Sequence, residues 1–421
     1  MALLARITED GSKQDLGDHL NEVGTSAKRL IERKNFDFQH LTDDDLARVA
    51  YILGAAHDFG KGTLYFQKYI WPDFDSPSAK KKRHSSLSAF FAYFALREDG
   101  FEPKTALIGW YVVQRHHGSL TTLYGADGEI ARKADDPDHK SLLEDQAVSI
   151  REGPIESLQE TYDNLEDLPS VEEFITGITT GRLFEEVHRQ RFRHEIRDQT
   201  ESYYLTLLLY SVLTDADKMS SAGVDFQDWP SVGLDTITNI DSSAVQKYKK
   251  EKLTVDSKLD EQREQAAQFV DSAVGKLEDT NLFSLTMPTG SGKTLTALQV
   301  ALSRRSASAN DRPPRIFYSV PFLSIIDQNH GVFRNVLETA GINPKPSTLL
   351  RHDHTSTGYA NEESDETNGN HRNPDQALLL TEGWNSELVT TTFVQFFETL
   401  VTNKNANARR FHKLSNSIIL L

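Results

Sequence analysis

The 421-residue sequence predicts two domains of different class, an all-α domain followed by an α/β domain built on a parallel sheet. Up to about residue 117, and again from VEEFITGI through ESYYLTLLLYSVLTDADKM, apolar residues recur every three or four positions, the period of a helix. Beyond about residue 280 the period changes to short apolar runs, NLFSLTMP, RIFYSVPF, ELVTTTF and NSIILL, alternating with helical stretches, which implies parallel strands. Between the first of these runs and the helical LTALQVALSRR lies the Gly-rich turn MPTGSGKT, residues 287 to 294. The length is too great for one core, and roughly two or three domains fit it.

Within the first domain, TDDDLARVAYILGAAHDFG starts a helix with Thr42 as N-cap and acids in the first turn, and Gly60 stops it. Leu46, Val49, Ala50 and Leu53 form one stripe, which His57 continues at its buried end. Residues 118 to about 165, including YGADGEIARKADDPDHKS, read as an exposed insertion of loops and short helices, and the domain closes near residue 225. A polar linker, 226–280, carries a helix in KLDEQREQAAQFVDSAVGKL, and the α/β domain occupies 281–421.

With 38% hydrophobic and 26% charged residues the composition is that of a soluble globular protein. No apolar run approaches a bilayer span and MALLARITEDGSK lacks a signal-peptide pattern, so a cytoplasmic protein without membrane contact is expected. The absence of cysteine excludes disulfides, cysteine-bound zinc, iron–sulfur clusters and cysteine nucleophiles, leaving His and carboxylate to hold any metal. A net charge of -16 argues against a broadly basic nucleic-acid coat while leaving room for local basic grooves. It also suits a salty cytoplasm, where repulsion is screened.

HDFGKG, residues 57 to 62, contains a His-Asp pair, but so does His352-Asp353, and the dipeptide alone decides nothing. The setting matters more. His19 shares a helical face with Leu16, Val23, Ala27 and Leu30; His84 opens the apolar helix SSLSAFFAYFAL; His116 and His117 close KTALIGWYVVQRHHG; Asp215 and Asp217 end the helix 202–219. Each one alone fits a core or cap role with a backbone hydrogen bond. Together, polar groups at the ends and apolar faces of several helices require a shared polar centre, for which one or two divalent metals are the simplest partner. Neutral imidazole with carboxylate suits manganese, iron, nickel, cobalt or zinc with open positions for water, a setting for phosphodiester hydrolysis.

The order His, His-Asp, His, His-His, Asp resembles the HD superfamily of metal-dependent phosphohydrolases. HDFGKG followed by FQKY, RHSSLSA, RHHG and DADKMS is similar to the nuclease domain of the CRISPR-associated nuclease-helicase of type I interference. That resemblance implies one ion (Mn, Fe, Ni or Co) on His19, His57, Asp58 and Asp217 and a second on Asp58, His84, His116 and His117, with Asp58 bridging. Ala216-Asp217-Lys218 matches the family's Ala-Asp-bulky pattern, favouring Asp217 over Asp215, which periodicity cannot separate. Lys61 matches the lysine of the family's HDxGK and would contact a phosphate beside the catalytic Asp58; a helix C-terminal cation is the other reading.

The turn 287–294 has the strand–loop–helix setting of a phosphate-binding loop, although Met287 replaces the usual first glycine. Backbone N–H groups of Gly290, Ser291 and Gly292 would surround the β-phosphate, with Lys293 on the β/γ oxygens and Thr294 on Mg²⁺ of bound ATP. PTGSGKT resembles the superfamily 2 helicase form, YSVPFLSIIDQ that family's motif Ia and ELVTTTFVQFFETL its motif Ib. Either of the last two is also compatible with an ordinary strand-to-helix turn. Gln262 or Gln265 would be the adenine-reading glutamine. NSIILL stands where the family's strand runs into the Walker B Asp-Glu, so an incomplete first RecA-like domain is expected, binding ATP poorly and not hydrolysing it.

The resemblance thus implies a multidomain chain, an all-α HD-superfamily nuclease domain followed by an α/β RecA-like P-loop helicase domain. Its implied activity is metal-dependent endonucleolytic cutting of single-stranded DNA, coupled in the family to ATP-dependent helicase action, in CRISPR antiviral defence. Its partners would be the RNA-guided surveillance complex and the displaced strand of an R-loop. Sequence choice by guide RNA reconciles an acidic protein with DNA. Two rivals are an HD phosphohydrolase of nucleotides with a regulatory P-loop, and a non-catalytic module that binds DNA or the surveillance complex.

Overall fold

The structure, a computed structural model, describes residues 2–8, 11–71, 78–190, 200–224, 226–229, 237–253, 257–275, 281–308, 312–353 and 382–421. The chain forms two compact units, one of Met1–Phe226 with Thr402–His412, the other of Gln227–Val401 with Lys413–Leu421.

The first unit opens with an antiparallel hairpin, β1 Leu4–Ile7 and β2 Lys13–Asp15. Helices α1 Leu16–Glu32, α2 Asp43–Ala56, α3 Leu64–Ile70, α4 Ser85–Glu98 and α5 Pro103–Arg115 follow. Asp15 caps α1 by accepting from the Gly17 and Asp18 amides, and Thr42 caps α2 in a reciprocal box with Asp45. Helix α4 is apolar all round and buried from Leu87 to Leu96, as a central helix must be. The α2 helix ends at Ala56, short of Gly60, because His57, its C-cap residue, and Asp58 lead into a 3-10 turn over Phe59–Gly62. Phe59 pins that turn, stacked on Phe91 at 4.1 Å between ring centroids and edge-on to Phe174.

The stretch 118–165 is not an exposed insertion. It holds α6 Leu123–Asp135, α7 Pro137–Arg151 and α8 Ile155–Asp163, and Leu143, Ala147, Ile150, Leu158 and Tyr162 from it are buried. Part of its polar text caps these helices, with Thr122 and Asp136 as side-chain N-caps and Pro137 in the first turn of α7. Helices α9 Val171–Thr179, α10 Arg182–Arg189 and α11 Thr200–Ser221 complete this part. The segment 402–412, assigned by sequence to the second domain, packs in the first unit: Asn403 O accepts from Leu120 N–H at 2.9 Å, and Arg409 Nε binds the buried Asp215 Oδ1 at 2.6 Å. Nothing in its short polar text distinguishes it from a surface loop.

In the second unit, helices α12 Ser243–Lys252 and α13 Lys258–Gly275 precede α14 Lys293–Ala307 and α15 Leu323–Ala340. Its described strands form a parallel sheet in the order β4-β5-β3-β6, with β3 Ile316–Val320, β4 Leu349–His352, β5 Leu388–Thr392 and β6 Ile418–Leu420. Ile316, Leu349 and Leu388 pack with Leu298, Leu302, Phe333 and Val336 from the flanking helices. The expected strand at NLFSLT does not form. Residues 281–288 have no regular structure and Leu282 is 88% exposed, because an alternating pattern becomes a strand only where a neighbour accepts its hydrogen bonds.

Helices α1 and α2 approach most closely at Gly24 and Gly54, where a Cβ on Gly54 would lie 2.6 Å from Gly24 Cα and 2.8 Å from Val23 O. Both obstacles are backbone, so Gly54→Ala must push the helices apart. It is expected to lower unfolding stability by about 1–3 kcal/mol in urea titration, against no change if the contact relaxes freely.

Candidate functional site

The sequence-selected histidines come from four different helices or helix ends and meet around one carboxylate. Asp58 follows α2 directly and is buried. Its Oδ2 lies 3.2 Å from His19 Nε2 on α1, 3.2 Å from His57 Nε2 and 2.6 Å from Lys61 Nζ. Its Oδ1 lies 3.0 Å from His84 Nε2, at the N-cap of α4, and 3.7 Å from His116 Nε2, at the C-cap of α5. His117 joins through His84, with the two Nε2 atoms 2.9 Å apart. Asp217 Oδ1, on α11, stands 3.7 Å from His19 Nε2 and 3.8 Å from His57 Nε2.

These groups form two sets with ligand spacing, His19/His57/Asp58 and Asp58/His84/His116/His117, sharing Asp58. The donor chemistry fits divalent ions. His57 Nδ1 donates to Gly54 O and His116 Nδ1 to Val113 O, both at 2.6 Å, which turns each Nε2 toward the cluster. His57 Nε2, His116 Nε2 and Asp58 Oδ1 are buried without a well-formed hydrogen bond, which buried polar atoms ordinarily have. His19 Nδ1 is held by Ser220 Oγ at 2.9 Å, and that hydroxyl in turn donates to Glu22 Oε2. Glu22 lies three residues beyond His19 on the same helix, a spacing that could have singled it out in the sequence.

Electrostatics divide the histidines. Burial lowers the pKa of His19 and His84, and it carries His117 down to about 3 with help from the charges of His116 and His84. Burial also opposes charge on His57, but Asp58 and Asp217 override it and raise this imidazole to about 10. Asp58 and Asp217 are held well below the usual carboxylate range; burial works against this, and neighbouring cations, His57 foremost, prevail. Without an ion, His57 thus carries the positive charge.

Asp215 and Asp217, inseparable by period, point to different surroundings. Asp215 is fully buried and pairs with Arg409 and His412, whose Nε2 is 3.3 Å from Asp215 Oδ2. The second His-Asp, at the end of β4, has Arg351 Nε on Asp353 at 2.8 Å and His352 against the Trp384 ring, and it belongs to neither ligand set. The phosphate loop also has a definite form. Gly290 and Gly292 take φ of +76° and +84°, open only to glycine without strain, and Gly292 caps α14 so that Lys293 and Thr294 begin its first turn. Thr294 Oγ1 donates to Asn329 Oδ1 at 3.3 Å. The α13 side chain that reaches the loop is Arg263, whose Nε donates to Gly290 O at 2.8 Å, rather than Gln262 or Gln265.

Comparison with known proteins agrees with the order of the two domains. Residues 5–181 match the family model of the Cas3 HD domain, and residues 244–411 match that of the type III restriction enzyme res subunit. A curated relative, the CRISPR-associated nuclease/helicase Cas3 of Haloferax volcanii, is 27% identical over 440 aligned residues, covering 99% of this chain and 45% of the relative. Crystal structures of T. fusca Cas3, free and with AMPPNP, cover 99% of this chain at 17% identity with TM-scores of 0.57 and 0.54. The chain spans about half the length of these relatives, 45–46%. The molecule is thus an HD domain joined to a helicase-type domain. Over its whole length it is similar to CRISPR-associated nuclease/helicases of the Cas3 type.

An ion entering the His19/His57/Asp58 set must displace the proton on His57. Because that pKa is raised to about 10, affinity should climb with pH through neutrality and level off above that value. Calorimetric titration of metal-free protein with Mn²⁺ in buffers of different ionisation enthalpy should show about one proton released at pH 7.5. His57→Gln should abolish the release, and buffer-independent heats in the unsubstituted protein would contradict the assignment.

Proposed function

We propose that the first unit is a metal-dependent nuclease for single-stranded DNA, with two divalent ions held on either side of Asp58. The supporting observation is that one buried carboxylate presents each of its oxygens to a different set of imidazoles. His19, His57, Asp58 and Asp217 would hold one ion and Asp58, His84, His116 and His117 the other. Bound ions would supply an activated water and charge stabilisation at the phosphodiester. The chain's own side chains do the rest. His57 and His116 are fixed by their carbonyl contacts and cannot swing away. Lys61, whose Nζ stands 2.6 Å from Asp58 Oδ2, would place its ammonium on a phosphate oxygen of the substrate. His117 is exposed, so the second set is reachable from solvent.

In this reading the substrate is the displaced strand of an R-loop, presented by an RNA-guided surveillance complex, and the protein acts in CRISPR defence in the cytoplasm. No described helix is long and apolar enough to cross a membrane. The second unit would take MgATP on Gly290–Thr294, and exchange of the Thr294 hydroxyl from Asn329 to the ion would accompany binding.

The test is metal content together with cleavage of a labelled single-stranded DNA circle in Mn²⁺, Ni²⁺ or Co²⁺, without ATP. Near two ions per chain and endonucleolytic products are expected. Asp58→Ala should lose both ions and lower the rate by roughly three orders of magnitude or more, whereas Asp217→Ala should lose one ion. Absence of metal and of cutting in every ion would overturn the reading.

A further inference from the structure

Helix α6 places a group of cations beside the second ligand set. Lys133 is half-buried, and its Nζ donates to Ser86 Oγ at 3.0 Å, which in turn donates to Gln114 Oε1 at 2.9 Å. Ser86 lies two residues after His84, and Gln114 two before His116, so this bridge spans the same ends of α4 and α5 that present two of the imidazoles. Arg83 and Arg115 directly precede those histidines, and Arg132 neighbours Lys133 on α6. Burial lowers the pKa of Lys133, and Arg132, Arg115 and Arg83 lower it further. His139 feels the same field: burial, then Lys133 and Arg132, bring it down to about 4 against the opposing charge of Asp136.

Such a group repels itself, and a chain with 62 acids against 46 bases had carboxylates to spare for it. The carboxylate that acts on Lys133 is Glu129, whose oxygen Oε2 is already engaged by Arg115 Nε at 2.8 Å and Nη2 at 2.6 Å. Glu129 is thus shared between Arg115 and Lys133, which leaves Lys133 able to take a further anion, and the adjacent ligand set says what would carry it. We propose that Lys133, with Arg132 and Arg83, forms a phosphate subsite that grips the backbone of a single-stranded nucleic acid next to the scissile position. This rests on the nuclease reading for its substrate class. The bond to Ser86 orients the ammonium, and a phosphate oxygen would be a second acceptor for it.

The experiment is fluorescence anisotropy of a labelled oligo-dT with metal-free full chain, across a series of salt concentrations. Lys133→Met should weaken binding roughly three- to tenfold near about 0.1 M salt and flatten the slope of log K against log salt by about 0.7. Lys133→Arg should keep the slope. Arg132→Ala, at an exposed position whose loss leaves the fold intact, should flatten the slope as Lys133→Met does. Unchanged affinity and slope in both neutral variants, or no binding by the unsubstituted chain, would overturn the subsite. Binding that depends on Lys133 without cutting in any divalent ion would sink the nuclease reading and keep the subsite, and cutting with slopes indifferent to Lys133 would do the reverse.

Discussion

A single buried carboxylate organises the first unit. Asp58 is 1% exposed, and a charge so placed is tolerable only if its surroundings return what dehydration takes away. The fold meets that demand by ending or crossing helices at this point: α1 brings His19, the end of α2 brings His57, the start of α4 brings His84, and the end of α5 brings His116 and His117. The Phe59 stack and the close glycine contact between α1 and α2 serve the same end, since both fix the backbone on either side of Asp58. The aromatic core and the polar centre are thus one construction.

The centre was legible in the sequence because helical period is a good guide to which face is buried, and a histidine continuing an apolar stripe has to find a partner. His19 and His57 were found in this way, and His84 and the His116-His117 pair by their positions at helix ends. Period fails where two residues share an environment in one dimension and not in three. Asp215 and Asp217 are two apart on a buried helix end, and only the arrival of Arg409 and His412, from residues distant in sequence, tells them apart. Lys133 is hard to single out for a related reason: the text around it looks like loop, although it forms packed helices capped by Thr122 and Asp136. The strand expected at NLFSLT failed because strand formation depends on a neighbour that composition cannot supply.

The nucleic-acid role proposed for this acidic chain is less paradoxical once charge is viewed locally. Net charge sets long-range attraction and its salt dependence, while the grip on a strand comes from a few cations within a Debye length. The cations of α6, the turn before α4 and the end of α5 gather beside the ligand sets. Such a surface would bind weakly away from the centre, in line with the proposal that the strand is presented by a partner.

The Asp215–Arg409 pair bears on how the molecule is made. The two residues are 194 positions apart, so a ribosome delivers the carboxylate long before the guanidinium. Until then α11 carries a charge that it cannot comfortably bury, and the helix end that also bears Asp217 lacks its final support. The support that Arg409 gives this helix end thus comes only after the greater part of the second unit has been synthesised. An N-terminal fragment cut at the sequence boundary near residue 226 would remain permanently in that unfinished condition.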